Sequence, residues 1–474
     1  MTAAEPPSSA PSTAPPRLLD RAHLPLAVGS VALISLAAIE NRAVMTVLPT
    51  MLSELGALRM FGLVSAAPLA AYLVSLAGAG WWCDRGGPVP VLRAGALGFA
   101  LAQVLVGTAT TLPQVVLGRV LSGLAEGLLD VGLVVLVARA LDERLRPQMM
   151  ALFATAWMLP SLVGPLGVGL VTEAVGWRWV FLGGVLLLVP AWAALRPAMR
   201  TATWAPTEPT SGSGPVRRLL GVLPWALAAA AALLGLSAAT SAVASRPWSS
   251  AGAVVVGALV LGVSAHRLLP TGTFRAACGI GGIVALRAAV AAGFGGIGGF
   301  LPLIMTSLHG AAPTTAGVSM SITGVMWAVG SAAASRWSAH PGRVLHAGFG
   351  ALSAGLAGAT VLVWTALPVA VGLAGWAVAG VGIGMVTATL SVLTLAVADE
   401  TTQGTYSAAV QLAASMAGAL FYAGAGAVLA LAGGPGRAAF EVISTAAVLI
   451  AVLGLVGARR ALCALPAPAG ARSV

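Results

Sequence analysis

Fourteen apolar runs of membrane-spanning length, joined by short connections, dominate this sequence and restrict what it can fold into. A helix must offer about 20 consecutive apolar residues to cross a bilayer, because hydrocarbon gives an open backbone no hydrogen-bond partner. The runs lie near 25–49, 60–82, 92–110, 113–137, 150–172, 178–196, 219–242, 250–268, 276–306, 312–334, 344–366, 371–397, 405–430 and 439–461. Only 8% of the residues are charged, against roughly 25% in soluble domains, so a water-soluble surface of this size could not be covered. The expected class is an all-α polytopic membrane protein with 14 spans.

Composition divides the chain. Residues 1–22 are rich in Pro, Ser, Thr and Ala and read as a disordered cytoplasmic tail. Residues 23–196 hold six spans, and 197–218, with Pro197, Pro206, Pro209 and Ser211–Gly214, have linker composition. Residues 219–274 hold two further spans, 275–461 hold six more, and 462–474 form a second tail. Each six-helix unit ends its first span with Leu-Pro, at Leu48-Pro49 and Leu301-Pro302, a trace of internal duplication.

An even number of spans returns both termini to one side. Placed in the cytoplasm, that side receives 15 connecting arginines, including Arg85, Arg93, Arg139, Arg217 and Arg336, against four outside: Arg59, Arg178, Arg246 and Arg437. The positive-inside tendency predicts this bias, so the Arg excess, in a chain without Lys, reads as membrane sidedness and not as a nucleic-acid footprint. Cys83, Cys278 and Cys463 imply no disulfide framework.

Ionisable residues at bilayer depth are costly, which makes each a functional candidate. Glu40 and Arg42 lie in the first span, Arg119, Glu126 and Asp130 in the fourth, and Arg287 in the ninth. Arg119, Gly123, Glu126 and Asp130 follow at spacings of four, three and four, along one helix face. Glu126 reads as a proton or substrate site, or as a structural pair with Arg119 or Arg287. Glu40 faces a cavity or bridges to another helix, since Arg42 two positions on cannot meet it. Arg42 snorkels to the outer surface or touches substrate. Arg287 neutralises a carboxylate or holds an anionic ligand, and Asp130 serves entry or proton carriage. The glycines from Gly293 to Gly299, before Pro302, predict a bend in the ninth span. No phosphate loop, nucleophile arrangement or metal-ligand spacing emerges, so neither catalysis, a cofactor nor a metal is expected.

Gly80-Trp81-Trp82-Cys83-Asp84-Arg85-Gly86-Gly87, followed by Pro88-Val89, resembles the loop between helices two and three of the major facilitator superfamily, which carries a basic pair at the last two positions. Arg119-Val120-Leu121-Ser122-Gly123 resembles its Arg-x-x-x-Gly element, and Ser161 to Gly169, containing Gly164 and Pro165, its antiporter motif. Gly176-Trp177-Arg178-Trp179-Val180-Phe181 is similar to the start of helix six in drug exporters, and Glu40 lies where fourteen-helix drug:proton antiporters place an acid. In this order the motifs are similar to QacA-like and EmrB-like exporters. The resemblance implies two six-helix bundles plus two extra helices, rocking about a central cavity. It implies a conformational latch at Gly80, Asp84, Arg85 and Gly87, coupling through Arg119 with cavity acids Glu40 and Glu126, and an antiport motif at Gly164, Pro165 and Gly169.

The function expected is proton-coupled export of a hydrophobic or amphipathic small molecule by a monomer in the cell membrane. Export of an endogenous lipid or dedicated metabolite, proton-coupled uptake, and a non-transporting scaffold are the alternatives.

Overall fold

A computed structural model of the chain describes residues 18, 20, 23–142, 144–201, 214–398 and 402–461. Among these residues there are 14 α-helices, three short 3-10 turns and no strand. The helices are α1 (Leu24–Glu54), α2 (Phe61–Gly86), α3 (Pro88–Gly107), α4 (Leu112–Ala140), α5 (Arg146–Val175), α6 (Arg178–Thr201), α7 (Gly214–Ser241), α8 (Pro247–Leu268), α9 (Ile280–His309), α10 (Pro313–Arg336), α11 (Pro341–Ala359), α12 (Val369–Val397), α13 (Gln403–Leu431) and α14 (Arg437–Ala461). Thirteen are long and apolar enough to cross a membrane, and the 30-residue α5 carries a shorter apolar stretch, Val163–Val175. The chain is thus a multi-pass membrane protein.

Proline and glycine punctuate the helices as their geometry requires. Pro occupies the first turn of α1, α3, α4, α5, α8, α10 and α11, where its missing N–H costs no helical bond. Gly87 alone separates α2 from α3, at φ +76°, a conformation that side-chain-bearing residues avoid. Large apolar residues such as Leu97, Leu186, Leu259 and Leu453 are exposed on the helix flanks, as bilayer contact allows. α6 runs to Thr201 and α7 starts at Gly214, so helix occupies both edges of the segment read as a linker. Residues 202–213, 462–474 and the expected tail apart from Leu18 and Asp20 lie outside the described residues.

The two six-helix units pack by the same scheme. α1 packs on α5 and α6, α2 on α4, and α3 on α4 and α6; correspondingly α9 packs on α13 and α14, α10 on α12, and α11 on α12 and α14. The units meet along α2–α13 and α5–α10, which exchange roles under the internal symmetry. Pro49 in α1 and Pro302 in α9 therefore occupy corresponding helices, each preceded by a fully buried leucine. α7 wedges against both α2 and α13, with Thr240 Oγ1 donating to the Ala423 carbonyl at 2.9 Å, and α8 packs on α7.

α9 is one continuous helix through its glycines and Pro302. The glycines allow close approach. Gly293 lies against Ala447, Gly296 against Phe421, Gly298 against Trp376 and Gly299 against Tyr422, and the Tyr422 hydroxyl donates to the Gly295 carbonyl at 3.0 Å. Cys278 is disulfide-bonded, contrary to the expectation, and Cys83 is a buried free thiol. Cysteine spacing along a chain does not reveal which thiols folding brings together.

Successive helices alternate in direction, so Glu54, Arg178 and Thr314 share one face of the molecule and Asp84 and Arg139 the other. At the Glu54 face the units are in intimate contact. A Cβ on Gly169 would lie 2.6 Å from Thr314 Cα, and one on Gly62 would lie 2.8 Å from Gly426 Cα. Two inter-unit hydrogen bonds reinforce this seam. The Thr314 N–H donates to Glu173 Oε1 at 2.7 Å, and Arg59 Nη2 donates to the Gly433 carbonyl at 2.9 Å.

Candidate functional site

The intramembrane ionisable residues assemble into a polar tract across five helices. It begins at Arg119 on α4, whose Nη1 donates to Glu40 Oε1 on α1 in a buried ion pair, the side chains being 3% and 6% exposed. Arg119 Nη1 also stands 3.4 Å from Ser122 Oγ, and Nε has no partner. One residue beyond Glu40, Asn41 Nδ2 donates to Glu126 Oε1 at 3.1 Å. A turn further along α4, Asp130 Oδ2 accepts from the Tyr72 hydroxyl of α2 at 2.8 Å. Gln411 of α13 lies close to Tyr72 where α2 meets α13, and Arg287 Nη2 of α9 reaches Gln411 Oε1 at 3.4 Å. The tract thus runs from the buried Arg119 to the boundary of the units, where the buried Tyr72 approaches the exposed Gln411 of the second unit.

Its chemistry is uneven. Glu40 is held by a guanidinium, whereas Glu126 and Asp130 are held by an amide and a phenol, which hydrogen-bond a carboxyl group whether or not it is ionised. Those two acids can exchange a proton without breaking an ion pair. The partners differ from two of the sequence alternatives: Arg119 binds Glu40 and not Glu126, and Arg287 meets the neutral Gln411. Glu40 makes its bridge to α4 and also lines a cavity of about 480 Å³ with residues of α1, α3, α5 and α6. The side chain of Arg42 lies outside the described residues.

The remaining motif residues occupy the two faces. At the Asp84 face, Asp84 Oδ1 lies 4.0 Å from Arg139 Nη2 of α4, within the same unit, and the Arg85 guanidinium sits 4.9 Å from the centre of the Trp81 ring. Gly80 has open space where a Cβ would stand. Toward the Glu54 face, Gly164 borders the cavity, while Pro165 and Gly169 lie in the α5–α10 seam, Pro165 presenting its carbonyl to Gly317. Glu54 accepts from Trp177 Nε1 at 2.6 Å and Arg178 Nη1 at 2.7 Å. These bonds, Trp177 first, hold the Glu54 carboxyl below its ordinary value.

A family model described as Major Facilitator Superfamily matches residues 31–422. The chain belongs to the major facilitator superfamily. A member from Mycobacterium tuberculosis, described as "Probable multidrug-efflux transporter", is 28% identical over 447 residues, covering 90% of this chain and 92% of the relative. The "Multidrug efflux pump SdrM" of Staphylococcus aureus is 25% identical over 154 residues, 32% of this chain and 34% of that protein. Among solved structures, the POT family transporter PepTSo superposes with a TM-score of 0.67 at 15% identity, over 92% of this chain and 97% of that one. An auto inhibited POT family peptide transporter gives 0.66 at 15% identity, over 94% and 98%. These structures share the fold of this superfamily member, which is a membrane transporter of small molecules and not an enzyme.

Sequence reading missed Asn41, Tyr72 and Gln411. Neutral polar residues in a span cost little and attract no attention singly, although Asn41 follows Glu40 directly. Tyr72 and Gln411 matter only because α2 and α13 meet at the junction of the units.

Proposed function

We propose that this superfamily member is a proton-coupled exporter of hydrophobic or amphipathic small molecules, working as a monomer with both termini in the cytoplasm. The observation that carries the reading is the tract itself, with Glu126 and Asp130 on neutral partners beside the boundary with the second unit, where Arg287 and Gln411 stand. Alternating access requires a ligand that binds the two states of the bundles with different affinity. A proton on Glu126 or Asp130 removes a charge from the junction and alters what substrate meets there. The reciprocal effect, by linkage, is that substrate changes proton affinity. With the termini in the cytoplasm the Glu54 face is the outer one, and its seam supports a state closed to the outside. The relatives described as multidrug-efflux proteins, one of them matched over nearly its full length, support export. Asp84, Arg85 and Gly87 belong to the latch that governs the opposite face, and Gly164, Pro165 and Gly169 to the hinge between the units.

Proton-coupled uptake is the second reading. Its support is that solved structures of this shape include POT family peptide transporters; at 12–15% identity these share the fold. Inverted vesicles separate the two. With the lumen acidified, a panel of cationic, neutral and acidic amphiphiles and small peptides is added outside. Export predicts substrate accumulation coupled to proton release from the lumen, abolished by Glu126→Gln. Proton-driven loss of lumen-loaded substrate, with no accumulation from outside, assigns uptake, and full coupling in Glu126→Gln removes that residue from the mechanism.

A further inference from the structure

The cavity beside Glu40 lies away from the junction of the two units. Its walls come from α1, α3, α5 and α6, all of the first unit, and it is shaped by residues that withhold side chains: at Gly167 and Gly183 an added Cβ would meet nothing within 4 Å. Its rim consists of Val163 on α5 and Trp179 and Leu187 on α6, which are 59%, 53% and 54% exposed. On an outer flank of a membrane helix bundle such exposure means contact with lipid, so the cavity opens sideways into hydrocarbon and not into the aqueous path.

Its inner end is polar. Gln103 of α3 is 2% exposed and borders the cavity, and its Oε1 is buried without a hydrogen-bond partner. A buried acceptor left unpaired is costly, and a turn of the amide toward the cavity would let a ligand donor relieve it. The second polar group is the Glu40 carboxylate, with Arg119 on α4 behind it and not in the lining. A carboxylate and a primary amide at the end of an apolar slot call for a donor carried on a greasy body. A volume of about 480 Å³ falls within the ordinary range for a drug-sized ligand, roughly 300–1,000 Å³.

We propose that this cavity is a binding site for a single-chain or drug-sized amphiphile bearing an amine, which enters from the bilayer between α5 and α6 and places its amine against Gln103 and Glu40. Binding stands on the cavity alone; that the bound amphiphile is also cargo rests on the export reading above.

The experiment uses the full chain in phosphatidylcholine nanodiscs, with dodecylamine carrying a mid-chain diazirine as the photoreactive probe. Cross-links are expected on the peptides holding Val163 to Val171 and Trp179 to Leu187, displaced by unlabelled dodecylamine and weak with the matching dodecanoic acid probe. Gly183→Leu fills the slot and should lower labelling about tenfold or more. Gln103→Leu should narrow the preference for amine over acid, because a site built to hydrogen-bond a ligand loses discrimination with its partner group. Competition on the native chain decides the matter even where a variant fails to fold. Equal labelling by amine and acid, undiminished labelling in a folded Gly183→Leu protein, or preferential capture of a photoreactive phosphatidylcholine overturns the proposal. Specific labelling beside uncoupled or absent transport would remove the export reading alone, and intact transport without specific labelling would remove this site alone.

Discussion

Replacing Glu40 by Gln takes the counter-charge from Arg119 in a place where water cannot replace it. The exposures of 3% and 6% set the scale: an ion pair this deep costs about 3–5 kcal/mol to break from one side, against about 0.2–1 kcal/mol for an exposed pair. Nearby relief is poor. Ser122 Oγ lies 3.4 Å from Nη1 and spends its own hydrogen on the Arg119 carbonyl, and Nε already lacks a partner. The expected loss for Glu40→Gln is therefore about 3 kcal/mol or more, and Arg119→Met should lose a similar amount by stranding the carboxylate. The double variant removes both charges and should return to within about 1 kcal/mol of the native chain, because neutral replacement of a buried pair is often close to neutral in stability. A denaturant titration in mixed micelles of all four proteins reads the coupling, expected at about 2 kcal/mol or more. Additive single effects would refute the pairing. Transport by the double variant then separates two roles: a stable but uncoupled protein assigns the pair to the cycle, and native proton-coupled transport reduces it to a structural tie.

Three other perturbations bear on separate links of the argument. Tyr72→Phe deletes the 2.8 Å bond to Asp130 and should cost about 1.5–3 kcal/mol if Asp130 is ionised in the resting state, about half that if it is neutral; an unchanged unfolding midpoint would show that the contact carries no energy. Gly169→Val forces atoms into Thr314 across the seam at the Glu54 face, a clash of about 1–3 kcal/mol that should favour the opened face, read as faster thiol labelling of a cysteine placed at Thr314; unchanged labelling would mean that the seam does not gate access. The Glu54 carboxyl titrates below its ordinary value because Trp177 and Arg178 bond its ionised form, so its contribution to stability is present above about pH 4.3 and is lost as pH falls through the lowered value. Its exposure makes that contribution small. Glu54→Gln should flatten this acid limb, and an identical pH profile in native and variant proteins would contradict the assignment.

Much of this architecture was legible in the chain before folding. A membrane span satisfies its own backbone within one continuous segment, so its existence depends on local composition, and the ends of α4, α10 and α12 fall within a few residues of the apolar runs. The rarity of charge likewise singles out Glu40, Arg119, Glu126, Asp130 and Arg287 without any knowledge of packing. Partnership is another matter. Glu40 and Arg119 stand 79 residues apart and Arg287 and Gln411 stand 124 apart, and nothing in the identity of an arginine says which of several carboxylates it will meet. That choice belongs to helix rotation and crossing, set by small residues such as Gly123 against Pro68 and Gly317 against Pro165. The sideways cavity belongs to packing too, since a void is the space that several helices together leave unfilled. Span positions follow from local physics that each segment carries within itself, whereas pairings and voids arise from contacts between distant segments and come into being only when the helices assemble.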